Sequence, residues 1–374
     1  MIKVGIINVT GYAGAELARL LYNHPEARLV SVSGRSAAGK PLAEVFPHLA
    51  CYDLTVEPEI GDVDFAFSAL PHAASADAVA PLVRAGVPVV DISADFRLKD
   101  PAEYAQWYGV EHPAPDLLPS AVYGLTELNR EAVKGSKLIA NPGCYPTGAL
   151  LALAPAVKAG IIAPDVIIDS KSGMSGAGRS LGLAYHFAEA DESVSAYALD
   201  GHRHLPEIVQ ELSQMWPKVE APRRAPVRAP ALPVQTVRVW PPEAKAQGGR
   251  PGVTFTPHLV PMTRGILSTC YAPLLPGALP AGEAVKQAVR ELYRDFYRGE
   301  PFVRVVAAPP ATKHTWGNNL CLVHPTVDVR TGRLVVVSAI DNLVKGAAGS
   351  AIQNMNVMLG LPETAGLDTP AVYP

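Results

Sequence analysis

The chain has 374 residues, 48% of them hydrophobic and 18% charged, with a formal net charge of -3. That length exceeds one ordinary hydrophobic core, so two packed domains are expected, and the composition excludes a disordered chain. The near-neutral charge gives no reason to expect nucleic acid or an anionic membrane as partner; no apolar run reaches the roughly 20 residues of a membrane helix, and Met1 leads straight into strand-like Ile2-Lys3-Val4-Gly5-Ile6-Ile7, so a cytoplasmic location is expected.

From residue 1 to about 143, short apolar runs alternate with helical stretches, the pattern of a parallel sheet with crossover helices. The strand candidates are Val4-Ile7, Arg28-Ser33, Asp64-Leu70, Val87-Ile92 and Leu138-Ala140. Between the first two, Leu17, Leu20 and Leu21 fall at helical spacing within Ala13 to Tyr22, which completes a βαβ unit.

The first turn of that unit reads Asn8-Val9-Thr10-Gly11-Tyr12-Ala13-Gly14. Glycines between a strand and a helix let the backbone approach a pyrophosphate, which the free amides and dipole of the helix N-terminus then favour. Asn8 stands where a dinucleotide loop is expected to have another glycine. At the end of the second strand, where NAD-binding domains carry an acid for the ribose hydroxyls, the residues are Ser33-Gly34-Arg35-Ser36. An arginine flanked by hydroxyls suits a 2′-phosphate, so NADP(H) is the expected cofactor. Arg97 follows the Val87-Ile92 strand, at the sheet edge where ligands of such folds bind; a surface ion pair with Asp95 or Asp100 is the plain alternative.

Asn141-Pro142-Gly143-Cys144-Tyr145-Pro146-Thr147 joins a strand to a helix expected to run from Pro146 to about Lys158. A thiol at that junction meets the positive end of the helix, which favours the thiolate. The other cysteines, Cys51, Cys270 and Cys321, form no paired motif, so neither a disulfide framework nor a structural zinc site is expected. Cys270 and Cys321 sit within strand-like runs and read as buried thiols.

Beyond Val166 the chain is richer in strands: Val166-Ser170, Val253-Thr256, Ile266-Tyr271, Phe302-Val306, Leu320-Val327 and Leu334-Ile340, with a hairpin turn at Thr331-Gly332 and a helix within Ala281 to Arg298. This reads as a mixed sheet. The glycine cluster Ser172 to Arg179 is either an anion-binding nest or a loop over the site. In Asp200-Gly201-His202-Arg203-His204-Leu205-Pro206-Glu207, His202 and His204 are the candidate acid-base residues; they can also ligate a metal, but no third ligand stands at a recognisable spacing, and no metal is expected. The run from Pro217 to Pro233, with Arg223, Arg224 and Arg228, reads as a surface loop.

A thiol nucleophile beside a hydride donor points to attack on an activated acyl group and reduction of the thioester. A non-catalytic NADP-binding sensor and a cysteine hydrolase without a redox step are the rival classes; the glycine loop at residues 11 to 14 argues against the hydrolase.

Asn141 to Thr147, Ser172 to Arg179, Gly201 to Ile208, Pro257 to Leu267 and Asp341 to Gly349 together resemble the N-acetyl-gamma-glutamyl-phosphate reductase family of arginine biosynthesis, within the aspartate-semialdehyde dehydrogenase-like superfamily. The resemblance covers nearly the whole chain. It implies an α/β fold: a Rossmann-type NADP-binding domain over residues 1-144, completed by 341-374, and an α+β substrate and dimerisation domain with a mixed sheet over 145-340. It implies NADPH-dependent reduction of N-acetyl-gamma-glutamyl phosphate to N-acetylglutamate 5-semialdehyde and phosphate, with Cys144 as nucleophile and His204, or else His202, as acid-base partner. Arg97 and Asn141 look like substrate contacts. Thr10, Gly11, Tyr12, Ala13, Gly14, Ser33, Arg35, Ser36, Ser68, Leu70, Pro71, Ser175, Gly176 and Asn342 look like cofactor contacts. A related acyl phosphate, aspartyl or carrier-linked aminoadipyl, is the alternative substrate, but Tyr145-Pro146-Thr147 after the cysteine favours the glutamyl one. The expected assembly is a homodimer or homotetramer. Two departures from the family stand out: Asn8 in the first turn, and a longer proline-rich stretch between Trp216 and Pro251.

Overall fold

Two seven-stranded sheets organise the chain, and the computed structural model describes them through residues 1–217 and 250–373. The run read as a surface loop, Pro217 to Pro233, lies outside the described residues except for Pro217 itself.

In the first sheet β1 (Ile2–Ile7), β2 (Ala27–Ser33), β3 (Val56–Glu57), β4 (Phe65–Ser68), β5 (Val89–Asp91), β6 (Val122–Tyr123) and β7 (Leu138–Ala140) are all paired in parallel, in the order β3-β2-β1-β4-β5-β7-β6. Strand order reverses between β1 and β4, so a crevice opens beyond their carboxyl ends. The turns that follow both strands meet there: Asn8 Nδ2 donates to Ala69 O at 2.9 Å. The helix α1 (Tyr12–Leu21) buries Leu17, Leu20 and Leu21 on the sheet, and α3 (Ser75–Arg84) follows β4 after the short α2 (Leu42–Val45). Then come α4 (Pro101–Tyr108) and α5 (Thr126–Val133).

The cofactor turn has a backbone reason for its composition. Asn8 has φ +64, the left-handed region in which asparagine is the best tolerated residue after glycine. Its side chain is locked by Ala69 O and by Thr10 Oγ1, which donates to Asn8 Oδ1 at 2.9 Å. Asn8 therefore supplies the turn conformation that the missing glycine would supply. Gly14 has no such substitute: a Cβ there would stand 2.5 Å from Asn8 O.

The second sheet is mixed, in the order β12-β13-β14-β11-β8-β10-β9. Its members are β8 (Asp165–Gly173), β9 (Ser195–Ala196), β10 (Gly252–Val260), β11 (Ile266–Pro273), β12 (Val303–Val305), β13 (Cys321–Asp328) and β14 (Arg333–Ile340). Pairs β10/β8 and β12/β13 are parallel and the rest antiparallel. Thr331-Gly332 closes the β13–β14 hairpin, with Gly332 N donating to Asp328 O. One face is covered by α6 (Cys144–Lys158), α8 (Leu205–Met215) and α9 (Ala284–Phe296), with the short α7 (Phe187–Ala190) lying before β9. Every residue of α6 from Tyr145 to Val157 is buried, as expected of a helix apolar all round. The opposite face alternates half-exposed residues, among them Ile167, Asp169, Lys171, Thr269 and Tyr271, and nothing in the chain covers it among the described residues.

A π-helical turn, Val344–Ala348, and α10 (Gly349–Met358) then return the chain to the first sheet, where Ala351, Ile352 and Met355 join the core of β1, β2 and α1. A charged clasp closes the other side. Glu16 of α1 accepts from Arg264 Nη1 at 3.0 Å and Nη2 at 2.9 Å across the domain boundary. Burial would raise its pKa, but the guanidinium groups of Arg264 and Arg19 hold it down to about 2. Among the described residues no helix is long and apolar enough to cross a membrane.

Asn8 gives a direct test of the turn. Asn8→Gly keeps the conformation and is expected to leave stability within about 1 kcal/mol, whereas Asn8→Ala imposes the left-handed strain on an ordinary residue and costs about 1–2 kcal/mol more. Denaturant titration of both variants measures the difference; equal stability of the two contradicts the conformational account.

Candidate active site

Cys144 is the first residue of α6, entered directly from β7 through Asn141-Pro142-Gly143. Gly143 is the N-cap and receives no side-chain cap, so the amides of the first turn face the thiol. The loop is pinned from the other domain. Glu207 of α8, 1% exposed, accepts from Gly143 N at 2.8 Å and Tyr123 OH at 2.7 Å on one oxygen, and from Arg97 Nη1 at 3.2 Å on the other. Arg97 also donates from Nε to Asn141 O at 2.8 Å and from Nη2 to Ile92 O at 2.7 Å. It is thus a buried cation beside the Cys144 loop and not the surface ion pair with Asp95 or Asp100 offered as its plain alternative. Asp95 instead accepts the amides of Ala73, Ser75 and Ala76, and Asp100 caps α4.

His204 is the imidazole that meets this loop. A Cβ built on Gly143 would stand 2.6 Å from His204 Nε2 and 2.8 Å from Arg97 Nη1, so any larger residue there would displace both. His204 Nδ1 is buried without a partner. His202 stands behind it: its Nδ1 accepts from His204 N at 3.0 Å, its Nε2 lies 3.5 Å from Tyr197 OH, and the two rings are 4.8 Å apart. Behind the cysteine, the π-turn holds Gly346 through Gly346 N to Asp341 O at 2.9 Å, and a Cβ on Gly346 would come within 2.8 Å of Cys144 Cβ.

The electrostatics differ from the expectation of a standing thiolate. Burial pushes the Cys144 thiol up to about 11, and neither the Arg97 charge nor the helix amides reverse it. The dipole is present, but desolvation outweighs it. Burial likewise drives His204 well below the ordinary histidine range, helped by the nearby charges of His202 and Arg97, and holds His202 at about 4. The resting pair is therefore a neutral thiol beside a neutral imidazole whose Nδ1 has no partner.

Among the expected cofactor contacts, Thr10, Gly11, Tyr12, Ala13 and Gly14 form the β1–α1 turn. A Cβ on Gly11 would meet only Asn8 Nδ2, at 3.7 Å, and α1 has no acidic residue in its first turn and no side-chain cap, so its amides are open to a pyrophosphate. Arg35 and Ser36 lie exposed just past β2, while Ser33 is buried. Those residues fit a dinucleotide with a 2′-phosphate. Ser68 points inward, its Oγ 2.7 Å from Ser75 Oγ, which bonds Asp91, so it braces the turn, whereas Leu70 and Pro71 reach the surface. Ser175 and Asn342 are bonded to each other at 2.9 Å, and Asn342 Oδ1 accepts from Gly265 N at 2.7 Å; Gly176 beside them is exposed. The Ser172 to Arg179 segment spans the crevice, since Arg179 Nη1 donates to Thr10 O at 2.8 Å. Asn141, expected at the substrate, uses its side chain internally: Oδ1 accepts from Asn354 at 3.1 Å and Nδ2 donates to Ala347 O at 3.2 Å. Sequence reasoning gave no role to Glu207, Tyr123, Asn354 or Arg179. For Glu207 a signal existed, because three residues after His204 in a helix is the same face.

The fold and the site define a dinucleotide-dependent oxidoreductase, and comparison with known proteins agrees. A model of the semialdehyde dehydrogenase NAD binding domain matches residues 3–136, and one of the semialdehyde dehydrogenase dimerisation domain matches 144–232 and 242–342. Solved structures with the same fold include aspartate semialdehyde dehydrogenase II from Vibrio cholerae, complexed with ASA, at a TM-score of 0.67 and 16% identity, covering 96% of this chain and 98% of that one. Another is aspartate semialdehyde dehydrogenase with NADP from Candida albicans, at 0.59 and 17%, with 96% and 98% covered. The chain belongs to the semialdehyde dehydrogenase family. Within it the chain belongs with the N-acetyl-gamma-glutamyl-phosphate reductases: proteins of that name from Dehalococcoides mccartyi strain CBDB1 and Pelotomaculum thermopropionicum are 52% and 50% identical to it, over 100% of this chain and 99% of each relative.

Because the thiol is held up to about 11, alkylation of Cys144 in the unliganded protein is expected to accelerate about tenfold per pH unit between about pH 7 and 10, following the growing thiolate fraction. Stopped-flow iodoacetamide labelling, with Cys144→Ser to subtract Cys51, reads this. A rate already level at pH 7 contradicts a desolvated resting thiol.

Proposed function

We propose that the chain reduces N-acetyl-gamma-glutamyl phosphate to N-acetylglutamate 5-semialdehyde and inorganic phosphate, with NADPH as reductant, through a thioester on Cys144. The observation that carries this reading is the single constellation of Cys144, His204 and Arg97 around Gly143. The names of the relatives supply the substrate.

His204 Nε2 takes the Cys144 proton, and the sulfur attacks the acyl carbon. The acyl–oxygen bond breaks and phosphate leaves with its electron pair. Arg97 uses three of its five N–H donors on Asn141 O, Ile92 O and Glu207, so two remain for the departing oxygens. The β1–α1 turn, Arg35 and Ser36 would hold NADPH, which would supply the hydride that the thioester carbon accepts. The protonated His204 then gives its proton to the resulting oxyanion, forming the thiohemiacetal on Cys144. Collapse of that adduct breaks the carbon–sulfur bond, releases the aldehyde and returns the proton to the thiol through the same imidazole. The lowered pKa makes the His204 cation a strong acid towards the oxyanion, while the first proton transfer relies on the Arg97 charge beside the sulfur to favour the thiolate.

Cys144→Ser is expected to lower aldehyde formation by at least about 10³-fold while leaving NADPH binding within about twofold. Turnover and NADPH fluorescence titration measure the two. Substantial residual turnover rejects covalent catalysis.

We also infer that a second copy docks on the open face of the second sheet, within the matched dimerisation domain, to give a homodimer. Light scattering is expected to give twice the 39.5 kDa chain mass. Lys171→Glu with Tyr271→Asp on that face should shift the protein to monomer, and an unchanged mass rejects this surface.

A further inference from the structure

The cleft holds a second arginine that the catalytic cycle leaves idle. Arg203 lies between the two imidazoles in sequence, and its side chain is exposed. Arg97 is neutralised by Glu207, but Arg203 has no carboxylate within ion-pair distance among the described residues. Its guanidinium instead contacts Nε2 of His72, from the turn after β4. Burial, and then the Arg203 charge itself, lowers the His72 pKa, so His72 serves as a neutral acceptor and brings no negative charge.

Arg203 is nonetheless held in place. Its carbonyl accepts from Tyr108 OH at 3.3 Å, and Gly201 packs so closely on Trp107 that a Cβ would stand 3.1 Å from the ring. The stretch carrying Arg203 is therefore set against α4 of the first domain. The next residue, His204, lays its imidazole against Gly143, so this stretch runs beside the loop that carries Cys144. An exposed cation held beside His204 without a carboxylate partner is a site for a carboxylate.

We propose that Arg203, aligned by His72, binds the α-carboxylate of the substrate and so selects amino-acid-derived acyl phosphates. The inference rests on the reaction proposed above. In that substrate the acyl phosphate and the carboxylate are separated by three carbons. Arg97 lies beside Gly143, where phosphate departs, so the inner cation takes one end. Arg203, exposed between His202 and His204 in the chain, takes the other. His72 leaves the remaining guanidinium donors free to form a two-point contact with a planar carboxylate.

The reaction run backwards separates the two cations, because aldehyde and phosphate are then independent substrates. With the full chain, NADP⁺, inorganic phosphate and N-acetylglutamate 5-semialdehyde, Arg203→Gln is expected to raise KM for the aldehyde about 10–100-fold, the loss of a charge-assisted hydrogen-bonded contact. KM for phosphate should stay within about twofold, and Arg203→Lys should recover part of the loss. With 4-acetamidobutanal, the same aldehyde without its carboxylate, wild type and Arg203→Gln should perform alike. An equal stabilisation of both proteins by NADPH in thermal melts shows the variant folded. A rise in KM for phosphate, or the same relative loss with both aldehydes, overturns the proposal. Absence of reverse turnover in the wild type overturns the underlying reaction instead.

Discussion

Everything at the site depends on one buried carboxylate. Glu207 sits on a helix of the second domain, and its two oxygens hold the amide of Gly143, the hydroxyl of Tyr123 and the guanidinium of Arg97. Tyr123 and Arg97 belong to the first sheet and its loops, so this one side chain fixes the relative position of the two domains where the nucleophile is displayed. Removing one partner of such a buried pair commonly costs about 3–5 kcal/mol, because the other charge is left in low dielectric. The same contacts explain why Arg97 is precise enough to be useful. With Nε on Asn141 O and Nη2 on Ile92 O, the planar group has no rotation left, and its two spare donors point where the chain directs them.

The desolvation that makes Glu207 effective also sets the protonation of its neighbours. Cys144, His202 and His204, each partly buried, are all pushed toward their neutral forms by desolvation. A neutral thiol is a poor target for stray electrophiles, so the unliganded protein keeps its reactive sulfur in reserve. At neutral pH only a small fraction of that sulfur is thiolate.

Much of this was legible in the sequence, and the limits are physical. The strand–glycine–helix order, the junction at Cys144 and the paired histidines are local patterns, and local patterns survive without coordinates. The two-residue strands β3, β6 and β9 carry no periodicity to detect, and the helices α3 to α5, at most ten residues each, carry little. Asn8 looked like a defect in the turn because composition shows a missing glycine, whereas its φ of +64 shows the same conformation reached by another residue. The thiol was expected to be ionised because the helix end is visible in sequence and burial is not. Likewise Ser68 and Asn141 look like ligands on the strength of their position, and the fold turns both side chains inward to Ser75 and Asn354. Partners such as Glu207 with Arg97, 110 residues apart, are set by tertiary packing alone.

The π-turn against Cys144 ties the sulfur to chain about 200 positions away. Gly346 forms the wall behind the cysteine, and the helix after it fills the core of the first sheet. A substitution that loosens this remote packing therefore reaches the thiol without touching any group that handles a proton or a charge there.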